Sequence, residues 1–176
     1  MRVMARADQE READVSEGGR LGELYRLHAA DGVRLAYLLS GSRALAEDLV
    51  QEAFVRMYGR FRDLRDPGAF QWYLRRTIVN LVRSHFRRVR VERAYLQARA
   101  QERQEPAEPP DPGMRQELWQ ALLALPERQR TAIVLRFYED MSEGRIAEVM
   151  GCPAGTVKSL ISRGKERLRT TVTRGE

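Results

Sequence analysis

The sequence has few of the residues that build disulfide frameworks, metal centres and membrane spans. Cys152 is the only cysteine, so no disulfide can form within the chain. The only two histidines, His28 and His85, are too far apart in sequence to suggest a metal site. No apolar run approaches the roughly 20 residues that cross a bilayer, and the charged N-terminus lacks an apolar signal core. We therefore expect a cytoplasmic protein with no membrane insertion.

The arrangements of residues that support catalysis are missing as well. The chain has no glycine-rich phosphate loop, no pair of histidines at helical spacing and no cysteine cluster. We also find neither a metal-binding carboxylate cluster nor an activated nucleophile. The sequence thus predicts no catalytic residues, no bound metal and no cofactor.

Lysine is almost absent, yet the chain is strongly basic. Lys158 and Lys165 are the only lysines among 31 basic residues, the formal net charge is +6 and the pI is about 10.0. An anionic partner is indicated, nucleic acid before a membrane surface. Arginine suits phosphate and guanine because its planar fork can bind two acceptors, although a G+C-rich genome explains most of the arginine excess.

Aromatic residues are also few, and no segment alternates with period two. Apolar residues recur instead at steps of three and four, first over 21–38 and then, after the plausible N-cap Ser42, over 45–61. Asp66 and Pro67 form a strong helix start, with a helix predicted from 68 to 93. The pattern predicts an all-α protein. The charged residues 1–19 have no apolar period, and we predict a mobile tail there.

A proline-rich, acidic stretch divides the chain. Residues 97–113 carry four of the seven prolines and almost no apolar side chains, which excludes helix and strand interiors. This predicts a flexible linker, extended where the prolines cluster, between two small helical domains at 20–96 and 114–172. Both predicted domains carry net positive charge and the linker carries net negative charge.

The second predicted domain ends in a helix-turn-helix. Helices are expected at 116–125 and after Pro126, with Ile133, Val134, Phe137 and Tyr138 as apolar positions. Ser142 caps a short helix, 151–153 forces a turn, and a second helix begins near Ala154. Its exposed face is rich in hydrogen-bond donors, which favours DNA over the alternative of a helical hairpin in an unrelated bundle.

Two further surfaces precede the linker. The 68–93 helix interleaves seven arginines with Trp72, Tyr73, His85 and Phe86, a mixture that suits unpaired bases. Trp72 and Phe86 are as well explained as core residues. On the 45–61 helix, Asp48, Gln51 and Glu52 oppose the apolar stripe, and a solvated helix face would explain them equally well.

Four segments resemble the extracytoplasmic-function (ECF) sigma factors of the sigma-70 family, in their sigma-E-like subgroup of high-G+C bacteria. These segments are AEDLVQEAFVRMYGRF (46–61), DPGAFQWYLRRTIVNLVRSHFRR (66–88), LPERQRTAIVLRFYEDMS (125–142) and IAEVMGCPAGTVKSLISRGKERLR (146–169). The resemblance covers about 20–170. It implies a sigma region 2 domain, a sigma region 4 domain, and the partners core RNA polymerase and promoter DNA. It leaves open a separate anti-sigma factor.

The resemblance also implies roles for three sets of residues. Core polymerase would be bound by Asp48, Gln51, Glu52 and Val55. The −10 element would be recognised and melted by Trp72, Arg76, Asn80, Arg83, Ser84 and Arg87. The −35 element would be read as duplex by Lys158, Ser159, Ser162 and Arg163, with Gly155 and Thr156 near phosphates.

The sequence departs from the family pattern at the start of the helix-turn-helix. Arg145 stands where a glutamate would complete a capping box with Ser142, and Gly144 precedes it. Both changes should weaken this helix start. Leu160 and Ser162 also differ from common residues of the family, and they bear on the −35 sequence that is read.

Two alternatives of other classes remain open at the level of sequence. A helix-turn-helix repressor or activator would bind DNA alone and would need a dimer interface. An enzyme acting on nucleic acid would need a carboxylate cluster or a nucleophile. Neither alternative accounts for the arginine-rich helix together with the face around Asp48.

Overall fold

A computed structural model describes residues 2–58, 67–95 and 108–173. Within these residues the chain forms seven helices and no strand, which confirms the all-α prediction. In chain order they are α1 (Arg2–Ser40), α2 (Arg43–Tyr58), α3 (Pro67–Tyr95), α4 (Gln116–Leu123), α5 (Glu127–Phe137), α6 (Glu143–Met150) and α7 (Ala154–Thr173).

The first helix extends much further toward the N-terminus than predicted. We expected a mobile tail over 1–19, and α1 begins at Arg2, so 2–19 are helical while the mobility of this segment stays a prediction. Residues 2–18 contain no proline and are rich in alanine, arginine and glutamate, all good helix formers. Once the packed part of α1 has nucleated, extension through such residues costs little. These residues can therefore form a helix without an apolar period, because such a period is needed only where a helix packs against other helices.

Helices α1, α2 and α3 pack around one apolar core, and a glycine lets them approach closely. Gly32 is buried in α1, and a Cβ at this position would lie 3.1 Å from Cδ1 of Ile78 in α3 and 3.4 Å from Cγ1 of Val50 in α2. Of the apolar stripe predicted for α2, the positions from Leu49 to Met57 are buried and Leu45 is half-buried. A glycine inside a helix normally lowers its stability, but Gly32 lies where the three helices meet.

Helix α5 is the centre of the C-terminal part. Seven consecutive residues, 129–135, are buried, so the helix is covered on nearly every side. Helix α7 crosses it at Gly164, where an added Cβ would come within 2.7 Å of Cγ1 of Ile133. The predicted apolar positions Phe137 and Tyr138 are instead exposed, at 59% and 37%. They lie where α5 ends, and Lys165 Nζ of α7 is 5.8 Å from the centre of the Phe137 ring.

The caps predicted at Ser42 and Ser142 and the turn predicted at 151–153 are confirmed, whereas the cap predicted at Asp66 lies outside the described residues. Ser42 Oγ accepts a hydrogen bond from the backbone N–H of Leu45, and Ser142 Oγ accepts one from that of Arg145. Gly151 ends α6 with a left-handed φ of 61°, a conformation that glycine adopts without strain.

The two groups of helices pack against each other. One apolar cluster runs from Leu35 in α1 through Trp119 in α4 to Ile161 in α7. The end of the predicted linker is part of this contact, because the Tyr37 hydroxyl donates to the Glu108 carbonyl and Arg34 pairs with Asp111. The linker is therefore anchored on α1 at its C-terminal end. The rest of it, 97–107, lies outside the described residues.

The close crossing at Gly164 makes a prediction about stability. Gly164→Ala should lower the free energy of unfolding by about 1–3 kcal/mol, because the new methyl group would overpack against the branch of Ile133. Urea unfolding followed by circular dichroism measures this change.

The matched control is Gly144→Ala in α6, where an added Cβ meets nothing within 4 Å. This variant should gain about 0.5–1 kcal/mol from the better helix propensity of alanine. Equal effects of the two substitutions would contradict the packing argument.

Candidate polymerase and nucleic-acid interfaces

The polar face of α2 is open to solvent. Asp48, Gln51 and Val55 are exposed, Val55 to 74%, and Glu52 is half-buried. The Glu52 carboxylate accepts a hydrogen bond of 2.6 Å from Arg56 one turn later. An exposed valine beside a carboxylate row, opposite a fully buried stripe, has the mixed character of a protein-docking surface.

The six predicted −10 residues follow one another along α3 at steps of three, four or one, which places them on one helix face. Arg76, Asn80 and Arg87 are exposed, whereas Trp72, Arg83 and Ser84 are half-buried. Phe86, which with Trp72 was equally well explained as a core residue, packs against the apolar core. Trp72 and Phe86 are therefore both half-buried side chains, neither fully exposed nor fully internal.

The partial burial of the α3 face comes from the C-terminal helices. Arg83 Nη1 donates a hydrogen bond of 2.8 Å to the carbonyl of Met150 at the end of α6. The guanidinium groups of Arg76 and Arg145 lie 5.3 Å and 6.0 Å from the centre of the Trp72 ring, and the indole Nε1 is buried with no acceptor. These cation–π contacts place Arg145 of α6 against a predicted −10 residue.

A basic cleft of about 820 Å³ separates the rest of the α3 face from the start of α5. One wall carries Asn80, Arg83, Ser84 and Arg87, and the other carries Glu127 and Arg128. Arg90 donates a hydrogen bond of 3.2 Å to Glu127 across it. The arginines outnumber the single carboxylate among the lining residues, so the cleft attracts anions.

The predicted −35 residues form a continuous exposed face on α7. Gly155, Lys158, Ser159, Ser162 and Arg163 are exposed and Thr156 is half-buried. Ser159 Oγ donates to the Gly155 carbonyl at 3.0 Å, which leaves its lone pairs available as acceptors. The opposite face of α7 buries Val157, Leu160 and Ile161. The turn at 151–153 thus presents the first two turns of α7 outward.

A buried arginine joins the two groups of helices behind these surfaces. Arg130 of α5 is 7% exposed, donates from Nη1 to the Leu123 carbonyl at 3.0 Å and lies 5.6 Å from the centre of the Phe86 ring. Desolvation by burial lowers the pKa of this guanidinium. Burial likewise raises the pKa of the Tyr138 hydroxyl, which is hydrogen-bonded to Arg34 of α1.

Sequence reasoning missed three residues that link the two groups of helices. Arg75 of α3 forms an ion pair with Glu139, whose side chain is only 6% exposed, and Arg145 stacks on Trp72. Arg145 was visible as a departure from the family pattern, but the pairing of Arg75 with Glu139 has no local signal. Cys152 is half-buried and free in the turn.

Over the part of the chain that the structure describes, no group of three or more His, Cys, Asp and Glu side chains could hold a metal ion. None of the described helices is both long enough and apolar enough to cross a membrane.

Comparison with known proteins assigns both groups of helices. Residues 24–91 match sigma-70 region 2, and residues 115–168 match sigma-70, region 4. The ECF RNA polymerase sigma factor SigE of Mycolicibacterium smegmatis is 37% identical over 155 residues, which cover 84% of this chain and 59% of that protein. The RNA polymerase sigma-E factor of Streptomyces coelicolor is 33% identical over 160 residues, which cover 85% and 87%.

A solved structure has a similar fold. The sigma factor RpoE of Bartonella quintana, solved in complex with the anti-sigma factor NepR, superposes with a TM-score of 0.67 at 25% identity. The match covers 86% of this chain and 96% of that one.

The cap of α6 gives a prediction for the helix-turn-helix. Ser142→Ala removes the acceptor for the Arg145 N–H and should lower the free energy of unfolding by about 1 kcal/mol. Thermal unfolding measures the loss. Ser162→Ala, on the exposed face of α7, is the control and should leave stability unchanged. If both variants unfold at the same temperature as the wild type, the Ser142 cap does not stabilise the start of α6.

Proposed function

The chain belongs to the ECF group of the sigma-70 family, and from that premise we propose how its surfaces divide the work of promoter recognition. As a sigma factor it directs core RNA polymerase to promoter DNA. We propose a region 2 domain at 20–96 and a region 4 domain at 114–172, with 97–113 between them. We further propose that the protein works in the cytoplasm without catalytic activity of its own.

Helix α2 is proposed to dock on core polymerase. The residues are Asp48, Gln51, Glu52 and Val55, whose exposure supports the proposal. Burial of the exposed Val55 side chain against polymerase would be favourable, and the carboxylates would orient the two proteins relative to each other. No other described surface of α2 is available, because its opposite face is buried in the core.

Helix α3 is proposed to act on the −10 element as the strands separate. Trp72 offers an aromatic ring on which a base can stack, and Arg76, Arg83 and Arg87 attract the phosphates. Asn80, exposed between them, can hydrogen-bond a base edge, and Ser84 lies one turn further along.

Helix α7 is proposed to read the −35 element in the major groove. Lys158, Ser159, Ser162 and Arg163 project from its exposed face toward base edges, and Gly155 and Thr156 lie at its N-terminus, where backbone N–H groups favour phosphate. The observation that carries the assignment is this exposed, donor-rich face directly after a tight turn, because that geometry lets a helix enter a groove.

The two alternatives from the sequence are less well supported. A repressor that acts alone leaves the exposed carboxylate face of α2 without a partner. A nucleic-acid enzyme is not supported by any carboxylate cluster in the described residues. A solved relative is bound to an anti-sigma factor, which supports the proposal that a separate protein of this kind binds the present chain.

Reversing charge on α2 tests polymerase docking. Asp48→Arg with Glu52→Arg should abolish co-purification with core polymerase, because two carboxylates of the docking face become repulsive. Glu23→Arg with Asp31→Arg on the exposed side of α1 makes the same charge change elsewhere and should leave co-purification intact. Retention of polymerase by the α2 variant, with an unchanged circular dichroism spectrum, would overturn the assignment.

Single substitutions test the split between α3 and α7. Arg163→Ala should relax or shift the −35 preference at a cost of about 1–3 kcal/mol if the side chain pairs with a base. Arg167→Ala, with the same charge change one turn later, is its control. Asn80→Ala should impair promoter opening and leave the −35 footprint intact.

Footprinting of the holoenzymes on duplex and on pre-melted promoters separates these effects. Pre-melting should rescue Asn80→Ala. If this variant fails equally on both templates and its −35 footprint disappears as well, the proposed division between the two helices is wrong.

A further inference from the structure

Two serines project from the exposed face of α7, and their hydroxyl groups are held differently. Ser159 Oγ donates a hydrogen bond of 3.0 Å to the backbone carbonyl of Gly155, one turn earlier in the helix. Ser162 is also exposed, and within the described residues its hydroxyl has no such bond. The proton of Ser159 is therefore directed back at the helix, whereas that of Ser162 is free to turn toward a partner.

The Gly155 carbonyl can hold this proton without losing its place in the helix. In an α-helix a carbonyl accepts the N–H four residues later with one lone pair, and its second lone pair can accept the hydroxyl. Thr131 and Thr171 donate in the same way to the carbonyl four residues before them. A hydroxyl has a single proton, so Ser159 presents only lone pairs to the solvent.

The long side chains beside Ser159 have the opposite chemistry. Lys158 and Arg163 are exposed and carry only hydrogen-bond donors. They therefore suit base acceptors, above all O6 and N7 of guanine. Of the four side chains proposed to read bases, Ser159 alone presents acceptors without a donor.

The four bases fall into two classes at the edge that such an oxygen would meet. In the major groove adenine presents its N6 amine and cytosine its N4 amine, whereas thymine presents O4 and guanine presents O6. Opposite an amine, Ser159 accepts a new hydrogen bond and keeps the bond to Gly155. Opposite a keto oxygen, the hydroxyl would have to give up the Gly155 bond before it could donate, so the number of hydrogen bonds would not rise.

We propose that Ser159 selects an amino base, adenine or cytosine, at one position of the −35 element, and that the Gly155 carbonyl sets this preference by holding the serine proton. The inference rests on the proposed −35 role of α7 and names the class of base that one of its side chains reads. One net hydrogen bond separates the two classes, which corresponds to a preference of about three- to tenfold. This bond does not distinguish adenine from cytosine.

The first experiment measures base preference with the holoenzyme. Each base pair of a −35 element is replaced by the other three, and the dissociation constants of the wild-type, Ser159→Ala and Ser162→Ala holoenzymes are compared. In the wild type one position should favour adenine and cytosine over guanine and thymine by about three- to tenfold, and Ser159→Ala should abolish that preference. Ser162→Ala, which removes an unconstrained hydroxyl from the same face, is the matched control and should retain it.

The second experiment removes the base amine instead of the serine hydroxyl. Adenine at that position is replaced by purine, which lacks the N6 amine. The replacement should weaken binding of the wild-type holoenzyme about three- to tenfold more than binding of the Ser159→Ala holoenzyme, because the variant has no bond left to lose. Any effect of purine on base pairing is common to both proteins and cancels in this comparison. Equal losses in the two proteins would show that Ser159 does not accept from the amine and would overturn the proposal.

A Ser159-dependent preference for guanine or thymine would overturn the proposal, because the hydroxyl would then act as a donor. An unchanged set of preferences in Ser159→Ala would overturn it as well. In either case a shift of the −35 preference in Arg163→Ala would leave the role of α7 standing. Unchanged −35 binding by all three α7 variants would remove that role together with the proposal.

Discussion

The burial of α5 is the constraint on which the C-terminal part of the molecule depends. A helix with seven consecutive buried residues must find partners all round, and it does so with α7, α1 and α6. Its buried charge, Arg130, directs Nη1 at the Leu123 carbonyl and lies near the Phe86 ring, while its Nε is buried without an acceptor. Because α7 packs on this helix at Gly164, its donor-rich face lies on the opposite, exposed side.

Two kinds of contact hold the molecule together, and they differ in how easily they separate. Within each group of helices the contacts are close and apolar, as at Gly32 and Gly164, where neighbouring side chains leave no space for a methyl group. Over the α3 face the contacts are arginine side chains directed at a carboxylate, a carbonyl and an aromatic ring. Water can replace each of these polar partners, whereas it cannot replace those of the apolar cluster that also joins the two groups.

Local features of the sequence predicted local features of the fold. The stripe of α2, the caps at Ser42 and Ser142, and the turn at Gly151 follow from periodicity and capping chemistry, which involve residues a few positions apart. The helix over 2–18 was not predicted because an apolar period was taken as necessary for a helix. The helix propensity of these residues is sufficient on its own. Phe137 and Tyr138 were predicted as apolar positions of α5, but periodicity does not show that both lie at the exposed end of that helix. The Arg75–Glu139 pair joins residues of separate helices, and only the fold brings them together.

The anchor of Glu108 and Asp111 on α1 sets how far apart the two groups of helices can travel. While it holds, only residues 112–115 separate the anchored Asp111 from the start of α4, and a fully extended chain of that length spans about 14 Å. Release of the anchor makes the whole stretch between α3 and α4, 96–115, the tether, which then reaches about 65 Å. Tyr37 and Arg34 thereby determine the effective concentration of one group of helices about the other. Under the roles proposed for α3 and α7, they also set the range of promoter spacings that a single chain can bridge.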